Sequence, residues 1–345
     1  MDTETNHEKV HRKDNENEDV PYEVEEVVER PGHGTDLNYK HSVMWPNAVF
    51  HVLIQIGWLI SIRTAFVHAK WATIMWAIFW LTFQIIGVGL GAHRYFTHKS
   101  YKATPLMRLI LVLGQTATGQ NSAFTWAKDH TLHHKYSDTD LDPHNSNRGF
   151  FFAHMGWMMM KKHPLLRKKE REMDWSEMKK DKLLMFQHKY FLPAYFVIGM
   201  ALPIWVPMYF WDETFWNSFF VAYILPYVTL LHATWSINSF AHWEGSKPYD
   251  KRVQAAESTV ANLLTLGDGF HNYHHAFPWD YRMTDTPYSI SAKILELFAY
   301  LGLAYDLKIA TPKTVDGHQK RHGDGSFVDV VNTFNAKTKD ESRIK

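Results

Sequence analysis

The chain of 345 residues is 46% hydrophobic and 15% aromatic, yet its mean hydropathy is −0.32, so its apolar residues must be concentrated in blocks between polar stretches. The formal net charge of +1 gives no overall attraction to nucleic acid. The absence of cysteine excludes disulfides, thiolate nucleophiles, iron–sulfur ligation and cysteine-containing zinc sites. Any metal must therefore be held by histidine, carboxylate or amide groups, and histidine is unusually common at 22 copies.

Both ends of the sequence are polar. Residues 1–41 contain twelve acidic and five basic residues with little apolar periodicity, so we predict a disordered acidic tail. This region lacks the apolar core of a cleavable signal peptide, and we expect the first membrane helix to direct insertion itself. Residues 42–311 are predicted to form the membrane domain, and residues 312–345 a polar C-terminal tail.

Four apolar blocks are long enough to cross a membrane as helices. A helix rising 1.5 Å per residue needs about 20 residues to span a hydrocarbon core of roughly 30 Å. Only the acidic turn of residues 212–214 separates the last two blocks, and the first two are similarly close. The sequence therefore predicts two hairpins, with spans of about 47–68, 71–92, 191–211 and 215–237.

A fifth uncharged segment, residues 109–127, makes the topology ambiguous. Its length permits a crossing, but its middle consists of Gly, Gln, Thr, Asn and Ser, which favours a re-entrant or protein-buried segment over one facing lipid. Basic residues are concentrated in segment 160–190. By the positive-inside rule this segment is cytosolic, and an even number of crossings puts both termini on the same side.

Histidine is concentrated in four short motifs, HRYFTH, HTLHH, NSFAH and HNYHH. On a helix each HxxHH motif has its imidazoles on one face, and Asn238 lies one turn before His242. His93 and His98 are five residues apart and would diverge on a straight helix, so we expect the helix to end or bend there. The motif histidines are His93, His98, His130, His133, His134, His242, His271, His274 and His275.

The predicted spans bring the motifs to one side of the membrane. His93 lies 22 residues beyond Trp71, and His242 lies 27 residues beyond Phe215. Helices of these lengths extend about 33 Å and about 40 Å, slightly more than a core of roughly 30 Å. If segment 109–127 does not cross, all nine histidines can converge on one cytosolic site.

This constellation predicts a dinuclear metal site. Nine imidazoles and one amide exceed the four ligands that zinc prefers, whereas imidazole also suits iron. An HExxH zinc-protease motif is absent. The count favours two metals and points to iron and O₂ chemistry. Isolated histidines are interpreted instead as ordinary hydrogen-bonded interior or interface residues: His51, His68, His144, His154, His163 and His188.

Four stretches carry a family resemblance: AHRYFTH, DHTLHHKYSDTDLDPHNSNRGFFFAHMGW, NSFAH and GDGFHNYHHAFPWDY. From about residue 42 to about residue 311, the chain resembles the membrane fatty acyl-CoA desaturases of the stearoyl-CoA desaturase type, and most closely their insect members. The resemblance implies an all-α integral membrane protein of the endoplasmic reticulum, with four transmembrane helices and a cytosolic helical cap over a di-iron centre. It implies O₂-dependent desaturation of acyl-CoA, with electrons from cytochrome b5 and its NADH reductase.

The resemblance also assigns site residues. The nine motif histidines match the ligands of two iron ions, and Asn238 matches an amide that reaches a metal through water. Lys128 stands where the family often has arginine, so it keeps the charge but loses the bidentate fork. The implied CoA contacts are Asn47, Lys128, Asp129, Lys161 and Lys162. The residues implied to enclose the bend of the acyl tunnel, or else to serve as ordinary packing, are Gln120, Trp126 and Thr234.

Several outcomes remain open at this stage. The default prediction is a Δ9 double bond in saturated C16 or C18 acyl-CoA, with Δ11 or another insect pheromone regiochemistry as the alternative. A hydroxylase or acetylenase could start from the same site. A membrane metal transporter or lipid receptor would have few histidines, spread at membrane depth. The chain has no HPGG haem-binding motif, so cytochrome b5 is predicted to be a separate partner.

Overall fold

The computed structural model describes residues 34–265, 267–286 and 289–326. Most of the predicted acidic tail and the end of the predicted C-terminal tail lie outside these residues. Four of the described helices are long and apolar enough to cross a membrane: α1 (Trp45–Val67), α2 (Trp71–Thr97), α9 (Phe191–Trp211) and α10 (Phe215–Trp243). The prediction of four membrane helices in a helical protein is confirmed, and α2 and α10 extend beyond their predicted ends.

The extension of α2 changes its helical type. From Ile86 to Thr97 the turns are π-helical, and the His98 N–H donates to the His93 carbonyl at 3.2 Å. A π-turn joins residues five apart, so it brings His93 and His98 to the same side. The helix ends at Thr97, where the sequence predicts an end or a bend.

Segment 109–127 is divided between two helices. Helix α3 (Pro105–Ala117) is too short to cross, since 13 residues extend about 20 Å. Gly119 and Asn121 have positive φ values and end it, and Ser122 then caps α4 (Ala123–Tyr136) by accepting from the Thr125 N–H. Most residues of the second half of α3 are buried, which agrees with the predicted protein-buried character of this segment.

Helices α2 and α3 approach closely through two glycines. A Cβ atom added to Gly87 would lie 2.0 Å from the carbonyl carbon of Gly114. Only two residues without side chains allow backbones to pack at this distance. This contact fixes the position of the π-helical end of α2, which carries His93.

Shorter elements complete the described part of the chain. They include α5 (Phe150–His154), α6 (Pro164–Glu172), α7 (Ser176–Lys180), α8 (Lys182–Lys189), α11 (Thr259–Thr265), α12 (His271–Ala276), α13 (Ile290–Tyr300) and α14 (Pro312–His322). Two-residue strands β1 (Lys102–Ala103) and β2 (Ala304–Tyr305) pair antiparallel. Helix α14 lies within the predicted C-terminal tail, and its Val315 is buried in a cluster that contains Tyr249 and Tyr273.

Candidate metal centre

Four helices contribute the nine motif histidines. Helix α2 carries His93 in its π-helical end, and His98 follows its last residue. Helix α4 carries the HTLHH motif, α10 carries His242 near its end, and α12 carries the HNYHH motif. The structure brings all nine together in two clusters. Within each cluster, the ring nitrogens that face one another all lie within 4.8 Å. The sequence spacing therefore identifies the residues, and the fold divides them into sets of five and four.

The five-histidine cluster consists of His93, His98, His130, His134 and His274. Its Nε2 atoms form a continuous chain of contacts. His274 lies 2.9 Å from both His93 and His134, and His130 lies 3.1 Å from His134 and 3.0 Å from His98. Five nitrogens thus face a common centre.

The four-histidine cluster consists of His133, His242, His271 and His275. The His275 Nε2 atom lies 3.2 Å from that of His133 and 3.1 Å from that of His271. The Nε2 atom of His242 is buried and has no hydrogen-bond partner among the described residues. A buried, unpaired nitrogen is costly unless something binds it. This atom is therefore available to bind a metal ion.

These nitrogen separations test the fit to a metal. Nitrogens bound at about 2.1 Å are about 3.0 Å apart when they meet the metal at right angles, and about 3.4 Å apart in a tetrahedron. The shortest observed separations, 2.9–3.2 Å, are close to both values. The nitrogens of each cluster are therefore close enough to share one metal ion.

Burial favours the neutral form of three imidazoles in the five-histidine cluster. Loss of hydration, followed by the charges of neighbouring imidazoles, holds the pKa of His134 and of His274 well below the usual value. Burial and nearby Arg94 lower the pKa of His98 to about 3. A neutral imidazole offers the lone pair that a metal needs, so these side chains are ready to coordinate near neutral pH.

Two buried aspartates support the four-histidine cluster. The Nδ1–H of His133 donates to Asp142 Oδ2 at 2.9 Å, and that of His242 donates to Asp138 Oδ2 at 3.1 Å. Burial opposes ionisation, but His242 and the hydrogen bonds hold the pKa of Asp138 well below its usual range. Sequence reasoning missed both aspartates, although the alternating acids of DTDLD begin four residues after the HTLHH motif and could have indicated them.

His144, interpreted from the sequence as an ordinary interior residue, is buried beside the four-histidine cluster. Its ring lies 4.3 Å from that of His133, its backbone N–H donates to Asp142 Oδ1 at 3.1 Å, and it forms a third group of possible ligands with His133 and Asp142. It therefore packs directly behind the metal centre.

A buried ion pair connects two of the histidine motifs. Arg94, next to His93, is fully buried and donates to Asp268 at 2.7 Å and to the carbonyl oxygen of Tyr281 at 2.8 Å. Asp268 belongs to the GDGF segment that precedes His271. The pair fixes the end of α2 relative to the approach to α12, and sequence reasoning did not identify it.

Three of the residues predicted to contact CoA form one network. Lys128 contacts Glu170 at 2.5 Å, and Lys162 contacts Asp129 and, at 3.5 Å, Glu170. Glu170 was not among the predicted site residues. Two lysines and two acids leave this network without net charge. Its ion pairs hold the two lysine side chains in defined positions.

The other two predicted CoA residues lie outside this network. Lys161 is exposed and makes no ion pair within the described residues. Asn47 is also exposed, and its Nδ2–H donates to the Met158 carbonyl at 3.2 Å. Lys161 is therefore the predicted CoA cation whose charge is not already neutralised.

Of the three predicted tunnel residues, Trp126 lies beside the five-histidine cluster, and Gln120 and Thr234 contact each other. The Nε2–H of Gln120 donates to Thr234 Oγ1 at 3.0 Å, which joins the segment before α4 to α10. The Trp126 ring lies 4.8 Å from that of His130 and 5.9 Å from that of His93. Asn238, predicted to reach a metal through water, lies half-buried on α10, one turn before His242.

Glu257 supports the helix that carries the HNYHH motif. Its Oε1 accepts the Tyr273 N–H at 2.8 Å, and loss of hydration together with the nearby Asp285 carboxylate raises the pKa of Glu257 to about 8. The folded state thus retains a proton that the unfolded chain releases near pH 4.5. The resulting stabilisation is complete below about pH 4.5 and is lost as the pH rises through about 8.

As the pH rises from about 5 to about 8, we therefore expect the thermal midpoint of the detergent-solubilised native chain to decrease. The decrease should be smaller in Glu257→Gln, because glutamine stays neutral. Differential scanning fluorimetry across this range measures the difference. Glu244→Gln, which changes an exposed glutamate, should retain the native pH dependence. Equal pH dependence in the native chain and Glu257→Gln would refute the assigned role.

Comparisons with known proteins find relatives that match most of the chain. The fatty acid desaturase family profile matches residues 69–294. The chain is 42% identical to human stearoyl-CoA desaturase over 290 residues, which cover 84% of the chain and 80% of the relative. It is 41% identical to the acyl-CoA Δ9 desaturase of Acheta domesticus over 84% of the chain and 81% of the relative. It is also 41% identical to the acyl-CoA Δ11 desaturase of Choristoneura rosaceana, over 90% and 93%.

Proposed function

Because the chain belongs to the fatty acid desaturase family and is an acyl-CoA desaturase, we propose that it introduces a double bond into long-chain acyl-CoA by O₂-dependent oxidation at a di-iron centre. The observation that carries this proposal is the convergence of nine buried or half-buried histidines into two adjacent clusters. Two electrons would come from cytochrome b5 and its NADH reductase, and two hydrogens would leave adjacent carbons of the chain.

Each cluster would hold one iron. The five-histidine cluster would supply His93, His98, His130, His134 and His274, and the other cluster would supply His133, His242, His271 and His275, with Asn238 acting through water. When bound, the iron pair supplies the oxidising power needed to remove hydrogen from an unactivated chain. The protein's own groups orient the ligands, direct the acyl chain and exclude water.

Positioning of the acyl chain would depend on Gln120, Trp126 and Thr234. The hydrogen bond between Gln120 and Thr234 satisfies two polar groups that would otherwise face an apolar chain. The Trp126 ring covers the side of the five-histidine cluster. These contacts support a bend in the acyl chain close to the metal centre.

The CoA phosphates would bind beside the cytosolic end of the site. We assign the contacts to Asn47, Lys128, Asp129, Lys161 and Lys162. The Asp129–Glu170 network holds Lys128 and Lys162 in fixed orientations, whereas Lys161 offers a charge that no described acid neutralises. A cationic rim of this kind recognises phosphate oxygens through charge-assisted hydrogen bonds.

Replacing Lys161 and Lys162 together with alanine should raise the KM for acyl-CoA about tenfold or more, since a hydrogen bond to a charged group contributes about 1.5–3 kcal/mol. The kcat and the bound iron should change little, because neither lysine contacts a cluster histidine in the described structure. Steady-state kinetics with stearoyl-CoA provide the measurement. The exposed pair Lys179→Ala with Lys180→Ala is the matched control. An unchanged KM in the first variant would refute the CoA assignment.

For regiochemistry we propose Δ9 desaturation of saturated C16 or C18 acyl-CoA. Relatives named for Δ9 and for Δ11 desaturation are equally similar, at 41% identity, so Δ11 is the second candidate. We further propose that the enzyme spans the endoplasmic reticulum membrane several times, with both termini and the metal centre in the cytosol. The basic segment 160–190 supports this orientation.

Reconstitution tests the proposed chemistry. Purified iron-loaded protein with cytochrome b5, its reductase, NADH and stearoyl-CoA should form monounsaturated product only when O₂ is present. Mass spectrometry of dimethyl disulfide adducts then locates the double bond. A hydroxylated product would favour the hydroxylase alternative, and an iron-loaded enzyme that forms no oxidised product would contradict the proposal.

A further inference from the structure

The two histidine clusters differ in what lies behind their imidazoles. The five-histidine cluster has one more imidazole, and no carboxylate among the described residues lies within 4.0 Å of its ring nitrogens. The four-histidine cluster has one imidazole fewer, but Asp142 and Asp138 accept hydrogen bonds from His133 and His242. The carboxylate support is thus on the side that has fewer histidines.

A carboxylate behind an imidazole has a defined chemical effect. When Nδ1–H donates to a carboxylate, the proton stays on Nδ1 and the lone pair stays on Nε2. The hydrogen bond also fixes the ring orientation and makes Nε2 a stronger donor to a metal. His242 Nε2, buried without a partner, and His133 Nε2, directed toward His275, are both set in this form.

The loop that carries the aspartates holds both carboxylates in place. Asp138 adopts a left-handed backbone conformation with φ of 58°, and its Oδ1 accepts from the Ser146 hydroxyl at 2.6 Å. The Asp138 N–H in turn donates to Asp142 Oδ2 at 2.9 Å. The two carboxylates are therefore locked to each other through the backbone, and neither can rotate away without breaking several contacts.

The aspartate between them is directed elsewhere. Asp140 pairs with Arg148 at 2.5 Å and accepts the Asp36 N–H at 2.9 Å. It is as buried as its neighbours, at 6% exposure for Asp140, 6% for Asp138 and 4% for Asp142. Of the three aspartates in DTDLD, Asp138 and Asp142 thus contact metal-ligand histidines, whereas Asp140 connects the loop to residues before α1.

We propose that Asp138 and Asp142 are positioning residues that secure the metal of the four-histidine cluster, and that they compensate for its missing fifth imidazole. This inference rests on the proposed di-iron centre. The two metals then depend on different parts of the chain. One is retained by the number of its histidines, and the other by two buried carboxylates that never touch it.

Iron titration of the metal-free, detergent-solubilised full chain tests this inference without using activity. Asp138→Asn with Asp142→Asn keeps side-chain volume and a hydrogen-bond acceptor but removes the charges, and asparagine tolerates the left-handed conformation at 138. We expect the affinity for one of the two irons to fall about 10- to 100-fold for each substitution. At a free iron concentration that just fills both sites of the native chain, the stoichiometry should fall from two to one per chain, with loss of one of two ⁵⁷Fe Mössbauer signals.

Asp140→Asn is the matched control, since it removes a buried charge from the same loop and should retain both irons. Two irons bound with native affinity in the double variant would overturn the inference. Equal loss of both irons would also overturn it by indicating a general structural role. If the double variant does not accumulate, Asp142→Asn alone carries the test, because residue 142 has no positive φ.

Failure of this inference is distinguishable from failure of the proposed function. If the unsubstituted chain binds two irons and the aspartate variants do as well, only the positioning role is wrong. If the unsubstituted chain binds no iron under the same conditions, the di-iron proposal itself is wrong.

Discussion

Replacing His274 with alanine is expected to abolish activity and to release iron from the five-histidine cluster. His274 lies between His93 and His134 in the chain of contacts, with its Nε2 atom 2.9 Å from those of both. Its side chain is 1% exposed, so no bulk solvent can substitute for it without a rearrangement. Loss of a direct ligand should reduce metal affinity by more than the about 10- to 100-fold that loss of a supporting partner costs.

The measurement combines iron content, determined by plasma mass spectrometry, with the yield of unsaturated product. His188→Ala is the control, because His188 is exposed and its ring contacts Ser122 and Phe124 rather than either cluster. The control should retain both irons and measurable activity. A His274→Ala protein that is active and contains two irons per chain would refute the ligand assignment.

Gly87→Ala is expected to prevent accumulation of folded protein. The added Cβ would lie 2.0 Å from the carbonyl carbon of Gly114 and 2.2 Å from the Gln115 nitrogen. Alanine gains about 1 kcal/mol over glycine in a helix, while overpacking usually costs about 1–3 kcal/mol and occasionally more. Because both atoms belong to the backbone and cannot rotate away, we expect a cost at or above the upper end of this range, which exceeds the helix gain by about 2 kcal/mol or more.

Gly57→Ala provides the matched comparison within another membrane helix. Its added Cβ would meet only the Ile224 Cγ2 atom at 3.5 Å, an ordinary van der Waals contact. We expect this variant to accumulate normally, with a thermal midpoint equal to or above that of the native chain. Fluorescence-detected size-exclusion chromatography reports the yield of both variants. Equal yields would show that α2 and α3 can separate without cost.

The sequence predicted most of what composition and spacing determine. Membrane spans depend on length and hydropathy, so four were found, and HxxHH spacing identifies imidazoles that share a helix face. The ends of α2 and α10 were placed too early because their last turns leave the apolar region while remaining helical. The π-helical end of α2 was expected only as an end or a bend, since its hydrogen-bond register depends on packing against α3.

The contacts between segments distant in sequence were not predictable. Asp138 lies 104 positions from His242, and Arg94 lies 174 positions from Asp268. No local pattern connects such residues, and only the tertiary fold brings them together. The pairing of Lys128 with Glu170 is a similar case, because charge spacing along the chain reveals basic segments but not which acids neutralise them.

The close approach at Gly87 was also hidden in the sequence. The segment GVGLGA contains three glycines, all on the same helix, and their spacing alone does not identify the one in backbone contact. Added Cβ atoms would meet neighbours at 3.4 Å for Gly89 and 3.2 Å for Gly91, against 2.0 Å for Gly87. The distinction depends on the path of α3, which the sequence does not specify.

Fatty-acid analysis of desaturase-deficient yeast expressing this chain tests the central claim most directly. Gas chromatography with mass spectrometry should detect a new monounsaturated C16 or C18 fatty acid that is absent from cells expressing His274→Ala. No new double bond, with the protein present in the membrane fraction and cytochrome b5 available, would contradict the assignment of this chain as an acyl-CoA desaturase.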